Sequence, residues 1–418
     1  MKIIADLHIH SRFSRATSKE LNIKNLEKYA KIKGLNLLGT GDFTHPEWLK
    51  ELKNELTEDE TGILKTKTGF NFILQGEISL IYTQDGKGRR IHNVLLAKNL
   101  DVVEQINEAL LKRGRLDYDG RPIFNLSCIE FTEMMKSIDK DIEIIPAHIW
   151  TPWFSLFGSM SGFDSVEECF KDQAKFIHAL ETGLSSDPAM NWRLSQLDNY
   201  TLISNSDSHS FWPWRIGREC NIFDIKLAYD AFIKSLKTKE GFIETIEVDP
   251  SYGKYHFDGH RLCKVCMSPK DAIKNKNICP KCGRKLTIGV LHRVEELADR
   301  EEGFKPKNAV PFKSVIPLSE IISNLIGYAI SSKKVWEIYH QLVSKGRSEL
   351  GILLDAEPEE LKKLADEKIA DAIINNREGK IPIQPGFDGE YGYPIFNGKI
   401  KKAEIRQKHE QKGLGDFY

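Results

Sequence analysis

The sequence predicts an α/β protein: a closed or nearly closed β/α barrel, then a four-cysteine segment, then a mainly helical C-terminal region. Three observations predict it. Short apolar runs alternate with longer amphipathic stretches up to about residue 225, as in parallel strands joined by helices. Nearly every run ends in, or leads straight into, a residue type that binds metal, and two tight cysteine pairs follow the last run.

Seven runs read as strands: Lys2–Leu7, Leu35–Thr40, Phe72–Glu77, Ile91–Ala97, Glu143–Ala147, Ile177–Thr182 and Thr201–Asn205. Between them Ile23–Lys33 and Asp101–Lys112 carry apolar residues at three- and four-residue spacing, which predicts helices packed on one side. Ile225–Lys239 is an amphipathic connector, and Asp249–His260 is rich in Gly, Tyr and His. These shifts divide the chain into 1–240, 241–310 and 311–418. In the last part Leu318–Lys345 and Pro358–Asn376 read as helices, the second opening on Pro358 and two glutamates, and Pro385–Pro394 reads as a turn-rich loop.

A chain of 418 residues exceeds what one core usually holds. It carries 60 basic and 60 acidic residues, so any surface for a polyanion has to be local. No apolar run approaches the roughly 20 residues of a membrane span, and the amino terminus lacks a signal-peptide pattern; a cytoplasmic protein with no membrane association is expected.

The metal-binding residue types form a constellation. In Asp6-Leu-His8-Ile-His10, alternation on a strand directs His8 and His10 to one face with room for a cation between them, and Asp207-Ser-His209 repeats that geometry. Asp42 and His45 lie in Gly-Thr-Gly-Asp-Phe-Thr-His, Glu77 in Gln-Gly-Glu-Ile, His92 after Arg89-Arg90-Ile91, and His148 in Ile-Pro-Ala-His. Mixed imidazole and carboxylate ligands suit Zn²⁺ or Mn²⁺, and a carboxylate such as Glu77 is able to bridge two ions. Two or three divalent ions (Zn²⁺, Mn²⁺ or Mg²⁺) would hydrolyse a phosphate ester there without a nucleophilic Ser or Cys, with His8, His10, Glu77 and Asp207 as the catalytic core. Lone histidines such as His178 and His340 read as ordinary hydrogen-bonded or exposed side chains.

Cys263, Cys266, Cys279 and Cys282 have the spacing of one closed structural zinc site, with a small β-ribbon expected between the two knuckles. Ten Lys or Arg residues between Gly253 and Arg293 face only Asp258 and Asp271, a local excess of eight positive charges. That surface either solubilises the ribbon or meets a phosphate backbone through Lys264, Lys274, Lys276, Lys281, Arg284 and Lys285.

The ordered motifs Asp6-Leu-His8-Ile-His10, Glu77, His92, His148 and Asp207-Ser-His209 resemble those of the PHP (polymerase and histidinol phosphatase) family, which implies a distorted seven-stranded β/α barrel with up to three metal ions. Two departures stand out. Ser11-Arg-Phe-Ser-Arg-Ala-Thr lacks a further histidine common in that family, and Gly41-Asp42-Phe43 replaces Thr-Asp-His, with His45 displaced by two. Glu181 aligns with a strand that carries a carboxylate near the site, as a ligand or behind one. With the cysteine pairs and the tail motif Pro385-Gly-Phe-Asp-Gly-Glu-Tyr-Gly added, the chain resembles the endonuclease Q family over nearly its full length. That resemblance implies nicking of double-stranded DNA on the 5′ side of deaminated bases (uracil, hypoxanthine or xanthine) or abasic sites, with base flipping.

Three readings compete: this lesion-specific endonuclease; a PHP-type phosphatase or exonuclease on a smaller or single-stranded substrate; and a non-catalytic nucleic-acid-binding scaffold. The aromatics of Trp150-Thr-Pro-Trp153-Phe154 and Phe211-Trp212-Pro-Trp214 would stack on a flipped base, cover the metal site, or be plain core. Arg12, Arg15, Arg89 and Arg90 stand near ligand motifs, in reach of a phosphate or simply solvated. The terminal Phe417-Tyr418 would suit docking to a sliding clamp.

Overall fold

Alternation at the amino terminus, with Ile3, Ala5 and Leu7 on one side, builds the first wall of a barrel. The computed structural model describes residues 1–344 and 346–396, so Phe417-Tyr418 lies outside the described residues. β1 (Lys2–Asp6) pairs parallel with β2 (Leu37–Gly39), and β2 parallel with β3 (Asn71–Gln84). β3 turns back into β4 (Lys87–Ala97), which runs antiparallel to β5 (Glu143–Pro146). β6 (Ala179–Glu181) and β7 (Thr201–Ile203) form a parallel pair.

The ring closes just past the strand ends: the Ile149 N–H donates to the Glu181 carbonyl at 3.0 Å, and the His10 N–H to the Ser208 carbonyl at 3.0 Å. One buried cluster takes Ile3, Leu37, Ile73, Val94, Ile145, Ala179 and Ile203 from the successive strands, so the interior is packed and not a pore. β8 (Cys220–Asp224), β9 (Phe242–Glu247) and β10 (Phe312–Ser314) extend the sheet outward from β1, so that sheet continues beyond residue 240.

The expected α/β barrel is observed, but it is not uniformly parallel. The run expected to stop at Glu77 continues to Gln84 and folds back as a hairpin. Asp85 and Gly86 supply the two positive φ values (53° and 73°) of a two-residue turn matched to strand twist.

α1 (Ile23–Lys33) forms as read, capped by the Asn22 side chain and stopped at Gly34, whose φ is 106°. α2 (Pro46–Glu55) starts on a proline, and α3 (Leu100–Leu111) is capped by Asn99. α4 (Val290–Leu297) lies between the cysteine segment and the barrel. The long C-terminal helices divide. α5 (Leu318–Ile326) ends at Gly327 and α6 (Lys333–Val343) restarts on Ser332, while α7 (Pro358–Leu364) yields to α8 (Glu367–Arg377) at the Asp366 cap. A left-handed glycine and side-chain caps beat the apolar periodicity that runs through both breaks. Among the described residues no helix is long and apolar enough to cross a membrane.

The C-terminal region is bolted to the barrel through a buried ion pair. Lys33 Nζ, at the end of α1, donates to Glu349 Oε1 at 2.9 Å and to the Pro213 carbonyl at 2.8 Å. Glu349 also accepts from the Leu318 N–H (3.0 Å) and the Tyr339 hydroxyl (2.7 Å). Beside it Trp212 stacks on Trp214 (5.2 Å, 8°), and Trp336 of α6 packs 5.3 Å from both.

Two outcomes are expected in urea unfolding. Glu349→Gln and Lys33→Met each cost about 3–5 kcal/mol by leaving a buried group unpaired, while Lys33→Met with Glu349→Leu costs less than the sum. Glu247 on β9 has no exposed surface, and burial holds its carboxyl up to about 7. Between the ordinary glutamate value and about 7 the folded state then binds more protons than the unfolded chain, so this group's contribution to stability falls as pH rises through that window and is constant above it. The unfolding midpoint of Glu247→Gln should therefore gain on wild type from pH 5 to 7 and keep a constant difference from pH 7.5 to 8.5.

Candidate metal centre

Glu77 and His92 share the inward face of the β3–β4 hairpin, because Glu77 pairs with Val94 and Ser79 with His92. His92 is therefore not at a strand's carboxyl end; its strand runs backward, and that reversal returns it to the mouth beside Glu77. His8 and His10 follow β1, and His148 and Asp207 occupy the turns after β5 and β7. Asp42, His148 and Asp207 all have positive φ (43°, 33° and 46°), a conformation unfavourable for residues with a Cβ and concentrated here around one site.

Two groups of ligand atoms converge, each within 4.8 Å: His8, His10, Glu77 and Asp207; and Glu77, His92 and His148. Glu77 belongs to both. Its Oε2 lies 3.5 Å from His8 Nε2 and 3.2 Å from His10 Nε2, and its Oε1 lies 2.8 Å from His92 Nδ1 and 3.3 Å from His148 Nε2. Asp207 Oδ1 is 3.0 Å from His10 Nε2.

The imidazoles are aimed from behind. His8 Nδ1 contacts Glu181 Oε2 at 2.9 Å, and Glu181 also accepts from the His148 N–H (3.0 Å) and Asn205 Nδ2 (2.9 Å). His10 Nδ1 contacts Asp42 Oδ1 at 2.9 Å, and Asp42 accepts from the Ser11 N–H, the Ser11 hydroxyl and the Ser14 hydroxyl at 2.6–2.8 Å. Each Nε2 is thereby turned toward Glu77 and Asp207.

Among the described residues the converging groups differ from the expected ligand set. Asp42 stands behind His10. His45 forms the start of α2 and stacks on Phe13 at 4.3 Å, in neither group, because the two-residue displacement carries it round the turn. His209 also lies outside both; its ring is 4.2 Å from that of His10, and its Nδ1 faces its own turn at the Asp207 carbonyl, 3.1 Å away. Glu181 is behind His8.

Arg121 was not legible as a site residue. Its Nη1 donates to Glu77 Oε2 at 3.1 Å. Asp119-Gly-Arg-Pro reads as a plain turn, and the only available signal was a charged residue beside a two-residue strand that pairs with β3. Burial would raise the Glu77 carboxyl, but Arg121, His92 and His8 hold it well below its ordinary range. Burial would lower His8 and His10; carboxylates override it, Glu181 and Glu77 for His8 and Asp42 and Asp207 for His10, and both are raised well above the usual imidazole value. Burial takes His92 down to about 3 and His209 to about 4.

In the cysteine segment Asp258–His260 and Val265–Met267 form an antiparallel ribbon. The stretch between the knuckles contains a helical turn, Pro269–Lys274, where a ribbon was expected, because Ser268 caps it and Pro269 opens it. Cys263, Cys279 and Cys282 converge with His260, whose Nδ1 is 3.4 Å from Cys282 Sγ. Cys266 is half-buried on the ribbon, where burial and Asp258 push its thiol up to about 11. Lys264, Lys274, Lys276, Lys281, Arg284 and Lys285 are all exposed. Contacts that tie the segment to the rest of the chain include Asp258 with His292 of α4 at 2.6 Å and Asp388 in the tail motif, which accepts from the Arg261 N–H at 2.6 Å.

Fold and side chains together define a metal-dependent hydrolase class of barrel, with a shared carboxylate between two imidazole groups. A family model described as the MJ0043 C-terminal domain matches residues 317–380. The uncharacterized protein MJ0043 of Methanocaldococcus jannaschii is 35% identical over 301 residues, 71% of this chain, and the chain spans only 36% of that protein's length. The crystal structure of the lesion-specific endonuclease PfuEndoQ from Pyrococcus furiosus is 34% identical with a TM-score of 0.86, covering 97% of this chain and 98% of that one. Endonuclease Q in complex with a 27-mer duplex substrate, with an abasic lesion at its active site, is 35% identical with a TM-score of 0.84, covering 98% and 100%. The chain belongs to the endonuclease Q family.

Glu181→Gln is expected to leave the fold intact by circular dichroism while weakening Mn²⁺ binding about 10- to 100-fold in calorimetric titration. His45→Ala should leave the Mn²⁺ isotherm unchanged.

Proposed function

We propose that the chain is a metal-dependent DNA-repair endonuclease that hydrolyses the phosphodiester 5′ of deaminated bases (uracil, hypoxanthine, xanthine) or abasic sites in double-stranded DNA. The observation that carries the chemistry is Glu77, a fully buried carboxylate facing two groups of imidazoles, beside a His8 Nε2 that is buried without a hydrogen-bond partner. An orphaned imidazole nitrogen among carboxylates is costly unless it binds a cation, so the residues fit metal ions. His8, His10, Glu77 and Asp207 would hold one ion, and Glu77, His92 and His148 a second. Bound there, divalent ions supply charge neutralisation for phosphate oxygens and a water of lowered pKa.

The chain's own residues do the rest. Glu181 and Asp42 fix the orientation of His8 and His10, and Arg121 adds a cation at the edge of the centre. The exposed lysines of the cysteine segment and Arg284 supply a cationic surface for a polyanion in a chain of net charge zero. A smaller phosphate ester would have no use for it, and the two converging groups around Glu77 disfavour a scaffold. A structural Zn²⁺ is assigned to the cysteine segment, which has too small an apolar core to hold without one.

The test is a labelled duplex with one internal uracil beside an undamaged duplex, incubated with Mg²⁺, Mn²⁺, Zn²⁺ or chelator. A metal-dependent nick 5′ of uracil, absent from the control and from His8→Ala, is expected. End-shortening, or DNA binding without a cut, would overturn the reading.

A further inference from the structure

Nucleotide extrusion leaves a gap in the base stack, and nothing described so far fills it. Trp212 and Trp214 do not: they are stacked on each other and packed against Trp336. The other aromatic loop, running from His148 to Phe163, is built differently.

Its inner face is core. Trp150, Leu156, Phe157 and Phe163 are buried, and backbone bonds Phe157 N–H to Ile149 O (2.8 Å) and Phe163 N–H to Leu156 O (2.6 Å) fix the base. Arg293 of α4 braces it from outside, donating from Nε to the Phe157 carbonyl at 3.2 Å. Its tip is apolar and in solvent: Trp153 is 42% and Met160 61% exposed. The two are neighbours, since the Met160 N–H donates to the Pro152 carbonyl at 3.0 Å.

This tip is attached directly to the metal centre. The Thr151 hydroxyl links His148 Nδ1 (3.2 Å) to the Trp153 carbonyl (2.8 Å). The His92 N–H donates to the Phe154 carbonyl at 3.2 Å, and the Phe154 ring lies 4.7 Å from that of His92. These contacts set Trp153 two hydrogen bonds from His148, close enough for a nucleotide flanking a phosphodiester at the centre to meet it. A rigid loop with an exposed indole and a thioether has the composition of a wedge that enters a base step.

We propose that Trp153, supported by Met160, inserts into the duplex beside the scissile phosphate and occupies the space left by the extruded lesion nucleotide. The inference rests on the endonuclease reading above and adds to it the group that opens the stack. Its occupant is a base step of duplex DNA, recognised by stacking on the indole face and not by sequence.

The experiment compares full-length wild type with Trp153→Ala, Trp153→Phe and Trp153→Ala/Met160→Ala, all expected to keep the wild-type melting temperature. Each is assayed on uracil paired in a duplex and on the same uracil in an unpaired bubble. Separately, 2-aminopurine opposite the lesion, in a duplex with a non-hydrolysable linkage 5′ of the lesion, reports unstacking on binding without chelator. The expected results are a rise in fluorescence with wild type and with Trp153→Phe but not with Trp153→Ala. The paired-to-bubble cleavage ratio of Trp153→Ala should fall roughly 10- to 100-fold, the scale of one lost base–aromatic stack. An unchanged ratio, or a fluorescence rise retained by the double variant, overturns the wedge alone. Failure of wild type to cut either substrate overturns the endonuclease reading and the wedge with it.

Discussion

Glu77 has no exposed surface and faces His8, His10, His92, His148 and Arg121, all within 3.5 Å. Burying a carboxylate costs several kcal/mol unless opposite charge and hydrogen bonds return it. Everything around it follows from that requirement. The imidazoles answer Glu77 only if their far nitrogens are held elsewhere, which places Glu181 behind His8 and Asp42 behind His10. Those carboxylates are buried too and need their own donors, which Asn205, Ser11, Ser14 and the His148 N–H supply. The site is a set of nested charge compensations, and removing an outer member misdirects an inner one.

Much of this was legible where a motif is local. His8-x-His10 and Asp207 stand at ends of apolar runs, and period-two alternation is enough to aim them at one mouth. The cysteine spacing likewise marked a metal site. What stayed hidden depends on pairing across the chain. Nothing local distinguishes Asp42 as a ligand from Asp42 as the partner of a ligand; only the approach of Ser11 and Ser14 decides it. Arg121 looks like a turn residue until its strand is laid beside β3. His260 joins the cysteines because Asp258–His260 pairs back on Val265–Met267, a contact absent from the Cys-x-x-Cys pattern. The reversed β4 was readable from Asp85-Gly86, but the expectation of a parallel barrel masked it.

The C-terminal helices matter to the centre through the loop after Asp207. That loop and Asp207 itself are bracketed by Asp6, whose carboxylate accepts from the Ser206 hydroxyl on one side and the Gly217 N–H on the other. The loop's middle is held by the C-terminal region: Lys33 reaches the Pro213 carbonyl while paired with Glu349, and Trp336 closes the stack on Trp212 and Trp214. The region matched by the MJ0043 C-terminal family model is thus part of the scaffold that fixes Asp207.

The positive φ values of Asp42, His148 and Asp207 show what this scaffolding accomplishes. Each such residue costs on the order of 1–3 kcal/mol and persists only where its surroundings over-determine it. Asp42 is held by three donors from Ser11 and Ser14, His148 by Glu181 and Thr151, and Asp207 by a turn bracketed through Asp6. An unstrained turn at His148 or Asp207 would send its side chain away from the centre, and one at Asp42 would withdraw the carboxylate that holds His10 from behind. The strain is thus what lets His148 and Asp207 converge on the centre while Asp42 braces His10 from behind, and the buried hydrogen bonds that hold it also fix the converging side chains in place.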